Sequence, residues 1–197
     1  MKIKGKQGII KIRNLRFGFF IRLRLAEAGL RRIPLRRRNK KCRKCKSAEL
    51  HFMTISFYGE NCFKIQAGDL TVLIDPIDPK SGLPPPRFKF DILLKTLSPF
   101  PPQERQKDAV VISGPGEYDL KNVSIRGFLS ENEITEKILK TIYTAIIEDV
   151  KFCFLGHLSD APAPSIMEHL ADIDIMFIPA GGKPFIDQKK AVKLIRQ

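Results

Sequence analysis

From Met53 onward the chain is a succession of short apolar segments, each stopped by Gly, Pro or Asp. Segments of this length are too short for stable helices, and their β-branched and aromatic content suits strands. TISFY, NCFKIQ and TVLID read as successive strands, with Gly59 and then Ala67-Gly68-Asp69 at the turns, the second turn closing a hairpin. A Pro-rich loop over residues 76–86 precedes a buried strand at DILL, residues 91–94. AVVIS and VSIRG flank a GPGEYD turn, in which Gly114 and Gly116 permit a sharp path around Pro115. IYTAIIE and KFCFL form another hairpin on the tight Glu148-Asp149 turn. Helices come late. Ser165 is placed to cap a short helix IMEHLA, DIMFIP is a further strand followed by a Gly181-Gly182 turn, and Asp187 is placed to cap the terminal helix QKKAVKLIRQ. Many strands first and few helices last indicate a layered α/β or α+β sandwich.

Before Met53 the texture is different. Residues 1–52 hold 18 of the 35 Lys and Arg, against Glu27 and Glu49 alone, so this segment is net +16. The other 17 basic residues face 19 acidic ones, and residues 53–197 are net −2. The high overall charge therefore belongs to a basic extension and not to the domain. Its run RRIPLRRRNKKCRKCK cannot bury enough apolar surface to offset its ordering entropy and reads as a flexible stretch. Upstream, the alternation in IRLRL fits a short strand or an amphipathic helix. No apolar run approaches the ~20 residues that span a bilayer. Four cysteines, Cys42, Cys45, Cys62 and Cys153, are too few and scattered for a secreted disulfide framework; they say little about compartment, and a reducing cytoplasm is the default expectation.

Six segments after Met53 share the order and spacing of one family: ISFYGENCFKIQ, LTVLIDP, SGLPPPRFKFDILL, VVISGPGEYDLKNVSIRG, IYTAIIEDVKFCFLGHL and DIDIMFIPAGGKPFIDQKKAVKLI. In these stretches the chain resembles the metallo-β-lactamase superfamily, in particular its small stand-alone metal-dependent hydrolases. The resemblance implies an α/β (α+β) fold, a four-layer αββα sandwich, here incomplete and preceded by the basic extension. The family's last strand has no counterpart before Gln197, which leaves the expectation of an uncovered sheet edge open to oligomerisation.

The same resemblance shows what is missing. Catalytic members bind zinc through His-x-His-x-Asp-His just after the strand matching DILL, and the metal lowers the pKa of a bound water to about 7. Here that position reads KTLSPFPPQERQKD, without a histidine. The next ligand position reads FLSENE, His157 stands where a bridging Asp is usual, and Gly59-Glu60-Asn61-Cys62-Phe63 replaces Gly-His-Ser-Cys-Phe. The remaining metal candidates are His157, Asp160, Glu60 and Asp75, a carboxylate-rich set with one imidazole. The expectation is a degenerate, non-catalytic homologue with no cofactor, although its family uses zinc. The alternative is an active metal-dependent hydrolase with an altered site.

Other constellations carry less. Ser159, His157 and Asp160 have the residue types of a catalytic triad, but such triads draw on separate loops. Cys62 and Cys153 lie within apolar strands as packing thiols. Glu117 reads as a backbone-bonding turn residue and His169 as a helix-face residue. In the extension, Cys42-x-x-Cys45 is half of a zinc-ribbon pattern, with His51 and Cys62 the nearest candidates to complete it. The clustered basic residues, with Phe17, Phe19 and Phe20, suit RNA or DNA, or an anionic lipid surface, and support a second reading as a nucleic-acid-binding module. A third reading gives residues 1–52 no selected role, with Met53 as a natural start.

Overall fold

The computed structural model describes residues 2–4, 8–13, 19–23, 51–99, 109–133, 135, 137–179 and 183–196. Side chains are described from Met53 onward, except Asn132. Cys42, Cys45, Phe17, the run RRIPLRRRNKKCRKCK and the Gly181-Gly182 turn lie outside the described residues.

Three strands precede the domain expected from the sequence: β1 (Lys2–Lys4), β2 (Gly8–Arg13) and β3 (Phe19–Leu23). The expected strands then follow as β4 (His51–Gly59), β5 (Cys62–Ala67) and β6 (Leu70–Ile74). The hairpin between β5 and β6 turns at Gly68, whose φ of 55° suits a residue without a Cβ. A Pro-rich loop with one 3₁₀ turn (Pro79–Ser81) leads to β7 (Ile92–Lys95), β8 (Leu97–Pro99) and β9 (Val110–Ser113). After these come β10 (Gly116–Leu120), β11 (Val123–Leu129), β12 (Ile138–Ile147) and β13 (Val150–Phe154). Helix α1 (Pro164–His169), β14 (Ile175–Pro179) and helix α2 (Gln188–Arg196) complete the order.

The strands form two sheets. One runs β1-β2-β4-β5-β6-β7-β9 and the other β10-β11-β12-β13-β14-β3, with β8 added on β12. Alternation along each strand sends one set of side chains between the sheets and the other set outward. Ile55, Phe63, Ile65, Val72, Ile74, Ile92 and Leu94 of the first sheet meet Ile125, Tyr143, Ala145, Phe152, Phe154 and Phe177 of the second in a continuous core. Phe177 binds the layers together, its ring 4.5 Å from that of Phe63 and 5.0 Å from that of Phe154.

The outer faces are covered differently. Cys153, Met176 and Ile178 pack under Ile166 of α1 and Ala191 and Leu194 of α2. On the opposite side Leu73 and Leu93 lie under Ile77, Phe88 and Phe90, so among the described residues a Pro-rich loop occupies the place of an outer helical layer. The order across the molecule is loop, sheet, sheet, helices, an incomplete αββα sandwich.

Local details correct the sequence reading. Ser165 does not cap α1; Pro164 fills the first helical turn and Ala163 is the cap, without a side-chain bond. Asp187 does cap α2, Oδ1 accepting from the Lys189 N–H at 2.8 Å. Within GPGEYD only Gly114 and Pro115 turn, while residues 116–120 form the edge strand β10, closed onto β11 by Lys121 and Asn122 at positive φ. Glu117 faces Arg126 across that ladder at 3.2 Å and bonds no backbone group there. β14 is paired on its outer side with β3.

Candidate functional site

The strand ends at one edge of the sandwich bring together residues far apart in sequence. Asp75 follows β6 in a left-handed conformation, φ 42°, with its N–H donating to the Leu94 carbonyl at 2.9 Å. This places its carboxylate beside Thr96, the residue after β7. The Thr96 N–H donates to Asp75 Oδ1 at 2.7 Å and the Thr96 hydroxyl to Oδ2 at 2.5 Å. Asn61, in the turn between β4 and β5, donates Nδ2–H to the same Oδ2 at 2.9 Å. A carboxylate accepting three such bonds is well compensated for its removal from water.

His157 arrives from the second sheet, on the loop after β13. Its Nδ1 lies 2.9 Å from Thr96 Oγ1, 3.5 Å from Asn61 Nδ2 and 3.7 Å from Asp75 Oδ2. Thr96 has one hydroxyl proton, and Asp75 receives it. The proton between Thr96 and His157 must then sit on Nδ1. Burial pushes the Asp75 carboxyl above its ordinary range, opposed by the charge of His157 and by the bonds from Thr96 and Asn61.

Gly156 makes this approach feasible. Its φ is 61°, and a Cβ there would stand 2.2 Å from both Cβ and Oγ1 of Thr96. The sequence reading did not single out Thr96, Asn61 or this role for Gly156.

A second carboxylate holds the same loop from outside. Glu133, near the start of β12, accepts from the Ser159 and Asp160 N–H groups at 2.9 and 2.8 Å, from the Ser159 hydroxyl at 2.6 Å, and from Lys140 Nζ at 2.6 Å. Burial raises its pKa, but the bonds from Lys140, Ser159 and Asp160 outweigh that and hold it below the ordinary glutamate range. Ser159 thus serves Glu133, and no Ser-His-Asp relay is assembled.

Of the four metal candidates, Asp75 and His157 come together. Asp160 turns to Lys190 of α2 at 2.8 Å, and Glu60 is an exposed residue of the β4–β5 turn with φ 49°. His169 is exposed and stacks on Phe128 with ring centroids 4.9 Å apart. Cys62 and Cys153 are fully buried, and burial pushes the Cys62 thiol up to about 12 and the Cys153 thiol higher still. Neither is a reactive thiolate.

A zinc ion needs about three well-placed protein donors. Among the described residues no group of three or more His, Cys, Asp or Glu is arranged to hold one. The two residues that do meet have their facing atoms committed elsewhere, Asp75 Oδ2 to Thr96 and Asn61, and His157 Nδ1 to Thr96. The donor set does not fit zinc.

The model of the β-lactamase superfamily domain matches residues 54–197. A solved structure from Thermotoga maritima, designated a candidate Zn-dependent hydrolase of the metallo-β-lactamase superfamily, is similar with a TM-score of 0.58 and 24% identity over 72% of this chain and 69% of that one. A candidate metal-dependent hydrolase from Parabacteroides distasonis is similar with a TM-score of 0.53 and 17% identity over 73% of this chain and 77% of that one. No curated protein matches. At these identities the solved structures establish the fold alone, whereas the domain match spans most of the chain. With that match and this sandwich, the chain belongs to the metallo-β-lactamase superfamily.

Proposed function

We propose that this protein is a degenerate metallo-β-lactamase-fold homologue, a pseudoenzyme in which the former ligand edge has become a structural hydrogen-bond node. The observation that carries this reading is the buried Asp75 carboxylate, whose oxygens accept from Thr96 N–H, Thr96 O–H and Asn61. It is supported by the absence of histidine from KTLSPFPPQERQKD, where the family motif belongs. The test is elemental analysis of the purified chain after zinc loading, together with phosphodiesterase, lactonase and β-lactam hydrolysis assays. The expected result is no stoichiometric zinc and no turnover; bound zinc with measurable turnover overturns it.

A second reading keeps a metal-dependent hydrolase with an altered site at Asp75 and His157, favoured by their 3.7 Å approach. Metal-dependent thermal stabilisation that disappears in His157→Ala would support it. A third rests on the net +16 of residues 1–52, which suits RNA, DNA or an anionic surface. Binding that weakens steeply with salt in the full chain would support that reading, and salt-independent or absent binding would remove it. The small number of cysteines accords with a cytoplasmic protein.

A further inference from the structure

We infer that β1, β2 and β3 are an integral part of the sandwich, an in-chain occupant that completes one end of both sheets. β2 pairs in parallel with β4, bringing Ile10 opposite Met53 and Ile12 opposite Ile55. Paired residues share a face of the sheet, and Met53 and Ile55 belong to the core between the sheets. β1 continues the pattern, Ile3 pairing with Ile10. Lys2, Lys4, Lys11 and Arg13 fall on the other face.

β3 does the same for the second sheet. It pairs antiparallel with β14, bringing Ile21 opposite Phe177 and Leu23 opposite Ile175, again residues of the inter-sheet core. Arg22 falls opposite Met176, on the face covered by the helices. Ile3, Ile10, Ile12, Ile21 and Leu23 thus fall at core-face positions, while Ile9, Phe20 and the charged residues Lys2, Lys4, Lys11, Arg13 and Arg22 fall at outer-face positions. A one-residue slip in either ladder would reverse the assignment, so the register is meaningful.

The arrangement mirrors the other end of the molecule. There β9 of the first sheet passes into β10 of the second through Gly114 and Pro115. Here the chain passes from β2 in the first sheet to β3 in the second. At this end β3 occupies the edge of β14 that another chain would otherwise pair with.

Three measurements on the full chain test this. An Arg22→Cys, Met176→Cys variant, oxidised and run without reductant, should form an intrachain disulfide and remain a monomer; free thiols or an interchain dimer overturns the inference. Amide hydrogen exchange should protect Gly8–Arg13 and Phe19–Leu23 at least tenfold over free-peptide rates, whereas exchange at those rates overturns it. Ile9 and Ile10 are chemically identical neighbours on opposite faces, so Ile10→Asn should lower Tm by several degrees more than Ile9→Asn. Equal shifts overturn the inference.

Discussion

Asp75 and Glu133 grip the loop after β13 from opposite sides. Asp75 reaches it through Thr96 and His157 in the interior, and Glu133 through the Ser159 and Asp160 N–H groups nearer the surface. Each carboxylate accepts several bonds, yet their pKa values move in opposite directions: burial dominates at Asp75, and hydrogen bonding, including a lysine 2.6 Å away, dominates at Glu133. The number of bonds alone does not set the electrostatics of a site. What decides is the balance between those bonds and the cost of burial, and at Asp75 burial outweighs both the bonds and the charge of His157.

The largest effect is expected where Gly156 meets Thr96. Gly156→Ala forces a Cβ into Thr96 and holds alanine at positive φ, at a cost of about 4 kcal/mol from overpacking and backbone strain. A small Tm change would mean that the His157 loop does not seat on Thr96. Asp75→Ala leaves the Thr96 N–H, the Thr96 hydroxyl and Asn61 without their acceptor and should cost about 3 kcal/mol in urea unfolding. Asp75→Asn, which keeps an acceptor, should cost less than half of that.

Glu133→Gln weakens the outer grip without creating a cavity and should cost about 2 kcal/mol near neutral pH. The pH dependence separates the two carboxylates. Glu133, with its folded pKa lowered, contributes stability that is present above its ordinary value of 4.5 and lost on acidification through its folded value. Asp75, with its folded pKa raised, contributes in the opposite sense, most at low pH and less as pH rises through its folded value. Glu133→Gln should therefore flatten the acid limb of the stability profile, and Asp75→Asn should steepen it. If both variants change the limb in the same sense, the contrast fails.

The smallest effect belongs to the corner at Gly114. The Tyr143 hydroxyl accepts from the Gly114 N–H at 2.8 Å and donates to its carbonyl at 3.0 Å. Tyr143→Phe should cost about 1.5 kcal/mol by removing the partner of the Gly114 N–H and one of the two donors to its carbonyl, with no change in the acid limb.

The strands after Met53 were legible because apolar runs bounded by turn residues carry their own signal, down to the Glu148-Asp149 turn with both residues at positive φ. The short strand β8 was not, since its pairing partners Ile138–Lys140 lie outside any apolar run that marks a strand. In β2 and β3 the charges obscured an alternation that becomes meaningful only against the partner register of β4 and β14. The site was half legible. Asp75 and His157 stood out as residue types with ligand chemistry. Asn61, Thr96 and Gly156 matter only because loops separated by 14 to 96 residues converge, and no local pattern encodes a demand that Thr96 places on Gly156.

Zinc content of the full chain, measured by elemental analysis after loading with zinc and removal of the excess, tests the central claim most directly. A self-satisfied Asp75–Thr96–His157 node predicts less than about a tenth of an equivalent per chain, unchanged in His157→Ala, because about three free donors are needed. One equivalent in the wild type that falls with His157→Ala would contradict it.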